Sequence, residues 1–292
     1  MATAAQWFEG IRLRTLPAAT SPVLAGTGVA WFEGRFQPLL AVLTLVVSLL
    51  IQIGANLSND YSDGIRGSDH VRVGPMRLVG SGAAPASHVR AAAFGAYGAA
   101  CLVGLVVVVL TGYWGLIFVG AACVVAAWLY TGGKHPYGYV GLGEVFVFVF
   151  FGLVAVVGTV YIQVGALSAA TWWAGAAIGI LAVAILVANN LRDIAGDQAV
   201  GKMTLATHMG DKATRWLFVA TVVVALVCVF GVAATSSWWA LLGWVMIALF
   251  VVPLRDVLTG MTGRGLIPVL RQTGLAELAC AVGLLVGLIV AA

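Results

Sequence analysis

The chain holds 292 residues, of which 62% are hydrophobic and only 9% charged, at a mean hydropathy of +1.05. Soluble domains carry about 25% charged residues, so a soluble globular fold is excluded and the chain falls in the membrane class. A formal charge of +4 would suit a nucleic-acid binder, but the basic residues sit in short loops between long apolar runs, which excludes that class as well.

In chain order, the stretch from Met1 to Arg14 carries Trp7, Phe8, Glu9, Arg12 and Arg14 and has no small-residue cleavage site after a short apolar core. It reads as an interfacial helix with its aromatics at headgroup level rather than as a cleavable signal. Nine apolar runs then approach the roughly 20 residues that a membrane span needs. They are Leu16–Trp31, Pro38–Leu57, Val89–Leu110, Tyr113–Tyr130, Gly141–Val164, Ala169–Asn189, Thr214–Ala233, Trp238–Val252 and Gly274–Ala291. The first and eighth are the short ones, and Pro17 and Pro22 suit a helix start better than a helix interior. The expected architecture is an all-α membrane protein, with residues 1–292 forming one polytopic domain.

The connections alternate between short, nearly uncharged loops and longer ones near 58–88, 131–140, 190–213 and 253–273. With nine spans, 14 of the 15 Lys and Arg residues share a face with the N-terminus, and only Arg35 lies opposite. The positive-inside rule makes that face cytoplasmic and puts the C-terminus outside, in an inner cell membrane crossed many times. Cys101, Cys123, Cys228 and Cys280 all fall in apolar runs and read as small buried hydrophobes. His70, His88, His135 and His208 read as solvated loop residues, with no zinc spacing among them.

Chemistry concentrates at two places on the charged face. At the end of the second span Asn56, Asp60 and Asp63 stand at i, i+4 and i+7, one helix face. At the end of the sixth, Asn189, Asp193 and Asp197 stand at i, i+4 and i+8, again one face. Acids gathered on a helix face repel unless a cation lies between them, and near lipid they are costly. Hard oxygen donors without His or Cys suit Mg2+, which fills its shell with water and phosphate oxygens. Arg66, Arg72 and Arg77 follow the first motif, Lys134 lies in the loop between, and Arg192 and Lys202 flank the second. Metal plus Arg or Lys is the usual clamp for a diphosphate. For any single Arg, the plain basic character of a cytoplasmic loop is a sufficient account.

These stretches resemble the UbiA superfamily of intramembrane aromatic prenyltransferases. The resemblance rests on Arg12-Leu-Arg14-Thr15-Leu16-Pro17, on Asn59-Asp60-Tyr61-Ser-Asp63 with Gly67-x-Asp69, and on Arg72-Val-Gly74-Pro75-Met-Arg77-Leu78-Val79. It continues through Tyr130-Thr-Gly-Gly, Gly141-Leu-Gly143-Glu144, Asn189-Asn190-x-Arg192-Asp193-x-x-x-Asp197 and Gly201-Lys202-x-Thr204-Leu205-Ala206, and it spans about residues 7 to 290. The Arg-x-Gly-Pro-x-Arg stretch is similar to the dihydroxynaphthoate branch. Gly64 and Gly67 stand where some members carry a further Asp, with Asp63 and Asp69 in their stead.

The resemblance implies nine helices around a central cavity with a cytoplasmic cap. It implies transfer of a polyprenyl group from polyprenyl diphosphate to 1,4-dihydroxy-2-naphthoate, with loss of diphosphate and CO2, to give demethylmenaquinone. On that reading Asn56, Asp60, Asp63, Asn189, Asp193 and Asp197 hold Mg2+, and the flanking cations together with Asp69 serve the diphosphate. Arg12, Arg14 and Lys134 are the candidate cations for the acceptor's carboxylate. Tyr61, Tyr130, Tyr137 and Tyr139 lie near the cap, where an aromatic face would stabilise an allylic cation, although interfacial anchoring is the plainer role. Glu144 is placed to pair with Lys134 or to orient a substrate; Glu277 has no assigned role. The run Val145–Phe151 reads first as bundle packing or lipid-facing surface, and only second as a groove for the prenyl tail.

Other readings keep the fold and change the acceptor, to 4-hydroxybenzoate, a chlorophyll or haem precursor, or a phosphoribosyl transfer. A CDP-alcohol phosphotransferase would have one contiguous Asp motif, whereas these lie about 130 residues apart. A Mg2+ or cation transporter would place its acids near mid-membrane on several spans. Asp60→Asn and Asp193→Asn are each expected to abolish turnover while leaving the fold intact.

Overall fold

The computed structural model describes residues 2–67 and 76–292. Asp69, His70 and Arg72, with most of the Arg-x-Gly-Pro-x-Arg stretch, lie outside the described residues.

All the regular structure among the described residues is helical. Thr3 and Gln6 form a capping box that starts α1 (Ala4–Ile11), and Arg12 ends it in the left-handed region at φ 58°. A one-turn 3-10 segment, Leu13–Thr15, leads into α2 (Leu16–Phe32), which keeps Pro22 in its interior rather than at its start. α3 (Pro38–Arg66) and α4 (Ala86–Thr111) follow, then α5 (Leu116–Leu129). The next rod, Gly143–Val164, is α6 (Gly143–Val147) and α7 (Gly158–Val164) joined by a π-helical stretch, Phe148–Val157. α8 (Ala169–Ala199) starts on a Ser168–Thr171 capping box, and α9 (Leu205–Thr235) is kinked at Gly210. A 3-10 segment, Trp238–Val245, runs straight into α10 (Met246–Leu258), and α11 (Ile267–Ala291) closes the chain.

Seven of these rods are long and apolar enough to cross a membrane, which makes the chain an integral membrane protein. The remaining two expected spans correspond to α2, of 17 residues, and α5, of 14. The short pair is therefore the first and fourth rather than the first and eighth, since Trp238–Leu258 runs 21 residues. α3, α8 and α9 exceed their expected lengths because polar residues prolong the helix beyond the apolar run. Both Asp motifs thus lie within regular helix.

α8 is the central rod: 67% of its most apolar window is buried, against 17% for α3. Side chains from α2, α8, α9, α10 and α11 form the main core, around Ile178, Leu181, Phe218, Phe250 and Leu284. Between helices in lipid, attraction comes from close packing rather than from expulsion of water, so small residues mark the contacts. A Cβ on Gly152 would stand 2.5 Å from Gly179 Cα, so the π stretch and α8 touch backbone to backbone. A second, smaller cluster at the cap joins Leu57, Leu78, Ala84, Val89 and Ala93, with Trp7 packed against it. Gly10 lets α1 lie directly on Leu78, where a Cβ would come within 2.5 Å of that side chain.

Candidate active site

On α3 the three motif residues face inward but do different things. Asp60 is fully buried, and its two oxygens accept the backbone N–H groups of Leu78 at 2.7 Å and Val79 at 2.9 Å. A carboxylate bonded to two N–H groups is a strong clamp, about 1.5–3 kcal/mol for each charged bond. Asn56 donates to Ile11 O and to Thr15 Oγ1, each at 2.8 Å, and fastens the N-terminal segment. Asp63 meets the charged cluster directly: Arg77 lies 3.3 Å from Oδ2, and the Tyr139 hydroxyl donates to Oδ1 at 2.8 Å.

On α8 the buried face is Asn190, Asp193 and Asp197, while Asn189 is only half-buried. Arg192 holds Asp193 with two bonds, 2.7 Å from Nε and 2.5 Å from Nη2, and also donates to Asn189 Oδ1 at 2.9 Å. Lys202 reaches Asp197 Oδ1 at 3.2 Å. Glu144, buried at the start of α6, accepts from Asn190 Nδ2 at 2.9 Å. The expected Lys134 partnership is therefore replaced by Asn190, and Lys134 itself is exposed. Asn190 was hidden in the sequence because two adjacent Asn residues both lie one helical turn before Asp193.

The cap segment 130–142 brings the two helix ends together. Tyr139 bonds Asp63 of the first motif, its ring lies 5.4 Å from the Lys202 ammonium, and its carbonyl accepts from Met203 N at 3.1 Å. Tyr130 lies within electrostatic range of Glu144, Asp63 and Asp197. Tyr137 donates to Ala126 O at 2.8 Å and stacks on Phe146 with centroids 4.0 Å apart. Burial raises the Tyr137 phenol above its ordinary value, so it remains a protonated donor.

Other expected residues are placed elsewhere. Arg66 is exposed and donates to the carbonyls of Thr131 and Gly133, bracing the cap. Arg12 lies within electrostatic range of Asp60, whereas Arg14 is exposed. Tyr61 stacks on Trp128 at 6.1 Å with Arg90 over its ring, and it takes no part in the cluster. Glu277 is fully buried in α11, and its oxygens meet no hydrogen-bond partner among the described residues.

Beneath the cap lies a cavity of about 570 Å³. Its polar end carries Asn56, Asn59, Tyr130 and Tyr137, and its walls are apolar residues of α3, α4, α5 and the Gly143–Val164 rod. Asn59, passed over in the sequence, accepts from Thr131 Oγ1 at 2.7 Å at this end. Phe146, Val147, Phe150 and Phe151 of the run Val145–Phe151 line the cavity; Phe148 packs instead over Gly179. Phe146, Phe150, Val154, Gly158 and Ile162 all face it at every fourth position. At 3.6 residues per turn such a stripe rotates by about 40° at each step. The widened π turns offset that rotation.

Among the described residues no three His, Cys, Asp or Glu side chains are grouped to hold a metal by themselves. A hard cation such as Mg2+ needs only a few carboxylates and completes its shell with water and phosphate oxygens. The donor set fits as well: Asp63, Asp193 and Asp197 are buried acids, each presently balanced by Arg77, Arg192 or Lys202.

Comparison with known proteins gives a consistent picture. The UbiA prenyltransferase family model matches residues 19–262. The 1,4-dihydroxy-2-naphthoate octaprenyltransferase of Mycobacterium tuberculosis is 48% identical over 95% of this chain and 94% of its own. The enzyme of that name from Escherichia coli is 37% identical over 91% and 89%. In structure, a UbiA homolog from Archaeoglobus fulgidus, bound to GPP and Mg2+, superposes with a TM-score of 0.69 over 98% of this chain and 99% of its own, at 13% identity.

Proposed function

The chain belongs to the UbiA prenyltransferase family, and on that premise we propose that it transfers a polyprenyl group from polyprenyl diphosphate to 1,4-dihydroxy-2-naphthoate in menaquinone biosynthesis. Diphosphate and CO2 leave, and the ring that keeps both hydroxyls is the reduced form of demethylmenaquinone. The observation that carries this reading is a charged cap closing an apolar cavity. Tyr130 at its polar end lies within electrostatic range of Asp63 and Asp197, which carry the Arg77 and Lys202 ion pairs, and the apolar walls suit a prenyl chain.

Asp63, Asp193 and Asp197 are the residues that would hold Mg2+, with Asp60, Asn56 and Asn189 shaping the surroundings. When bound, the metal supplies stabilisation of the negative charge that gathers on the departing diphosphate. Arg77, Arg192 and Lys202 rest on these carboxylates and are the groups poised to turn to phosphate oxygens. Asp60 acts at one remove: by fixing the Leu78 and Val79 amides it sets where Arg77 stands. Cleaving the allylic C–O bond leaves an allylic cation, which the half-buried rings of Tyr130 and Tyr137 would face from the cavity wall. Excluding water there protects the cation until a ring carbon attacks. Arg12, within electrostatic range of Asp60, is the candidate cation for the acceptor's carboxylate; Arg14, Lys134 and Arg66 are exposed, and Arg72 and Asp69 lie outside the described residues.

The whole chain acts as one domain in the cytoplasmic membrane, with the N-terminus and the active site on the cytoplasmic side and the C-terminus outside. Purified protein given dihydroxynaphthoate and a polyprenyl diphosphate yields the prenylated, decarboxylated product by mass spectrometry. Chelation stops the reaction and Mg2+ restores it. Absence of that product with this acceptor, alongside product with 4-hydroxybenzoate, would overturn the assignment.

A further inference from the structure

Tyr139 stands in an arrangement that a substrate-facing aromatic does not need. It is absent from the cavity wall that Tyr130 and Tyr137 line. Its hydroxyl donates to Asp63 Oδ1 at 2.8 Å, on the end of α3. Its ring lies 5.4 Å from both the Arg66 guanidinium and the Lys202 ammonium. Its carbonyl accepts from Met203 N, immediately after the lysine that pairs with Asp197. One residue therefore touches both halves of the charged cluster, and the short Pro136-bounded 3-10 turn Tyr137–Tyr139 fixes its backbone.

We infer that Tyr139 is a positioning residue that orients the Asp63 carboxylate for divalent-metal binding and couples it to the Asp197–Lys202 pair. The inference rests on the metal reading proposed above. A carboxylate ligand has two oxygens that rotate together. A donor fixing Oδ1 leaves Oδ2, now on Arg77, as the oxygen to be exchanged between cation and metal. Outer partners of this kind are worth on the order of 10–100-fold in metal affinity. The cations on the ring face are held by its π system, which survives loss of the hydroxyl. Tyr139→Phe therefore removes the bond to Asp63 and keeps the Arg66 and Lys202 contacts.

The test is thermal melting of the full chain in detergent, titrated with MgCl2 in the presence of inorganic diphosphate. The wild type is expected to gain melting temperature with Mg2+, and Tyr139→Phe to need roughly 10-fold more Mg2+ for half the gain. Its melting point without ligand should be unchanged. Adding Tyr139→Phe to Asp63→Asn should change nothing further, because the hydroxyl acts through that carboxylate. Equal Mg2+ dependence in wild type and Tyr139→Phe would overturn the inference and leave the metal site standing. A lower ligand-free melting point with no shift in Mg2+ dependence would also overturn it, by making the role purely structural. No Mg2+ response in the wild type would overturn the metal reading and the inference together.

Discussion

The two Asp motifs look alike in sequence and differ in what they do. On α3, Asn56 and Asp60 are occupied with backbone: one binds the segment at Ile11 and Thr15, the other the loop at Leu78 and Val79. Asp63 there pairs with the Arg77 guanidinium. On α8, Asp193 and Asp197 both meet cations, and the Asn before them holds a buried glutamate. The first motif organises the cap and the second presents charge. Similar spacing on two helix faces fixes which side chains point inward; what each then meets is decided by the chain that folds over it.

That contrast is open to attack from several sides. The largest effect is expected for Asp193→Asn, which should lower turnover by on the order of 10²–10³-fold, the range for losing one stabiliser of developing charge. Its melting point should stay near the wild type, so a collapsed fold there would erase the distinction between the motifs. Asp60→Asn should instead cost about 1–3 kcal/mol of stability, since an amide leaves one buried N–H unmatched. Its melting curve should fall along with its activity. An unchanged melting point with abolished turnover would return Asp60 to the role that spacing alone gave it. Asn190→Leu should reduce activity more modestly, by depriving the buried Glu144 of its donor, and Glu144→Gln in that background should recover part of the lost melting temperature. The smallest effect is expected for Asn56→Ala, about 1 kcal/mol, seen as faster proteolysis ahead of Thr15 with turnover reduced least.

Much of this was legible beforehand. Apolar run length gave the helices, and i, i+4, i+7 spacing put Asp60 and Asp63 on one buried side. Helix ends were misplaced wherever polar residues continue a helix past its apolar run, as at Ser58–Arg66 and Asn190–Ala199. Which of two adjacent Asn residues faces inward is a rotation of about 100°, and only the packing of α6 on α8 settles it for Asn190. Arg66, expected at the diphosphate, is drawn to the Thr131 and Gly133 carbonyls, bare acceptors that no composition reveals. The cavity arises between α3, α4, α5 and a rod whose π turns have no sequence signature.

α5, which forms one wall of that cavity, has 14 helical residues. At 1.5 Å each they span about 21 Å, well short of a hydrocarbon core of about 30 Å. A bilayer meets so short a wall by thinning beside it, by snorkelling of flanking residues or by helix association, at a modest cost for each ångström of mismatch. Thinning there would draw the bilayer in where a prenyl tail would approach the cavity. Turnover should then depend on the acyl length of the host lipid, rising in vesicles of short-chain phosphatidylcholine and falling in those of long-chain lipid. The host membrane's thickness becomes a control on the enzyme.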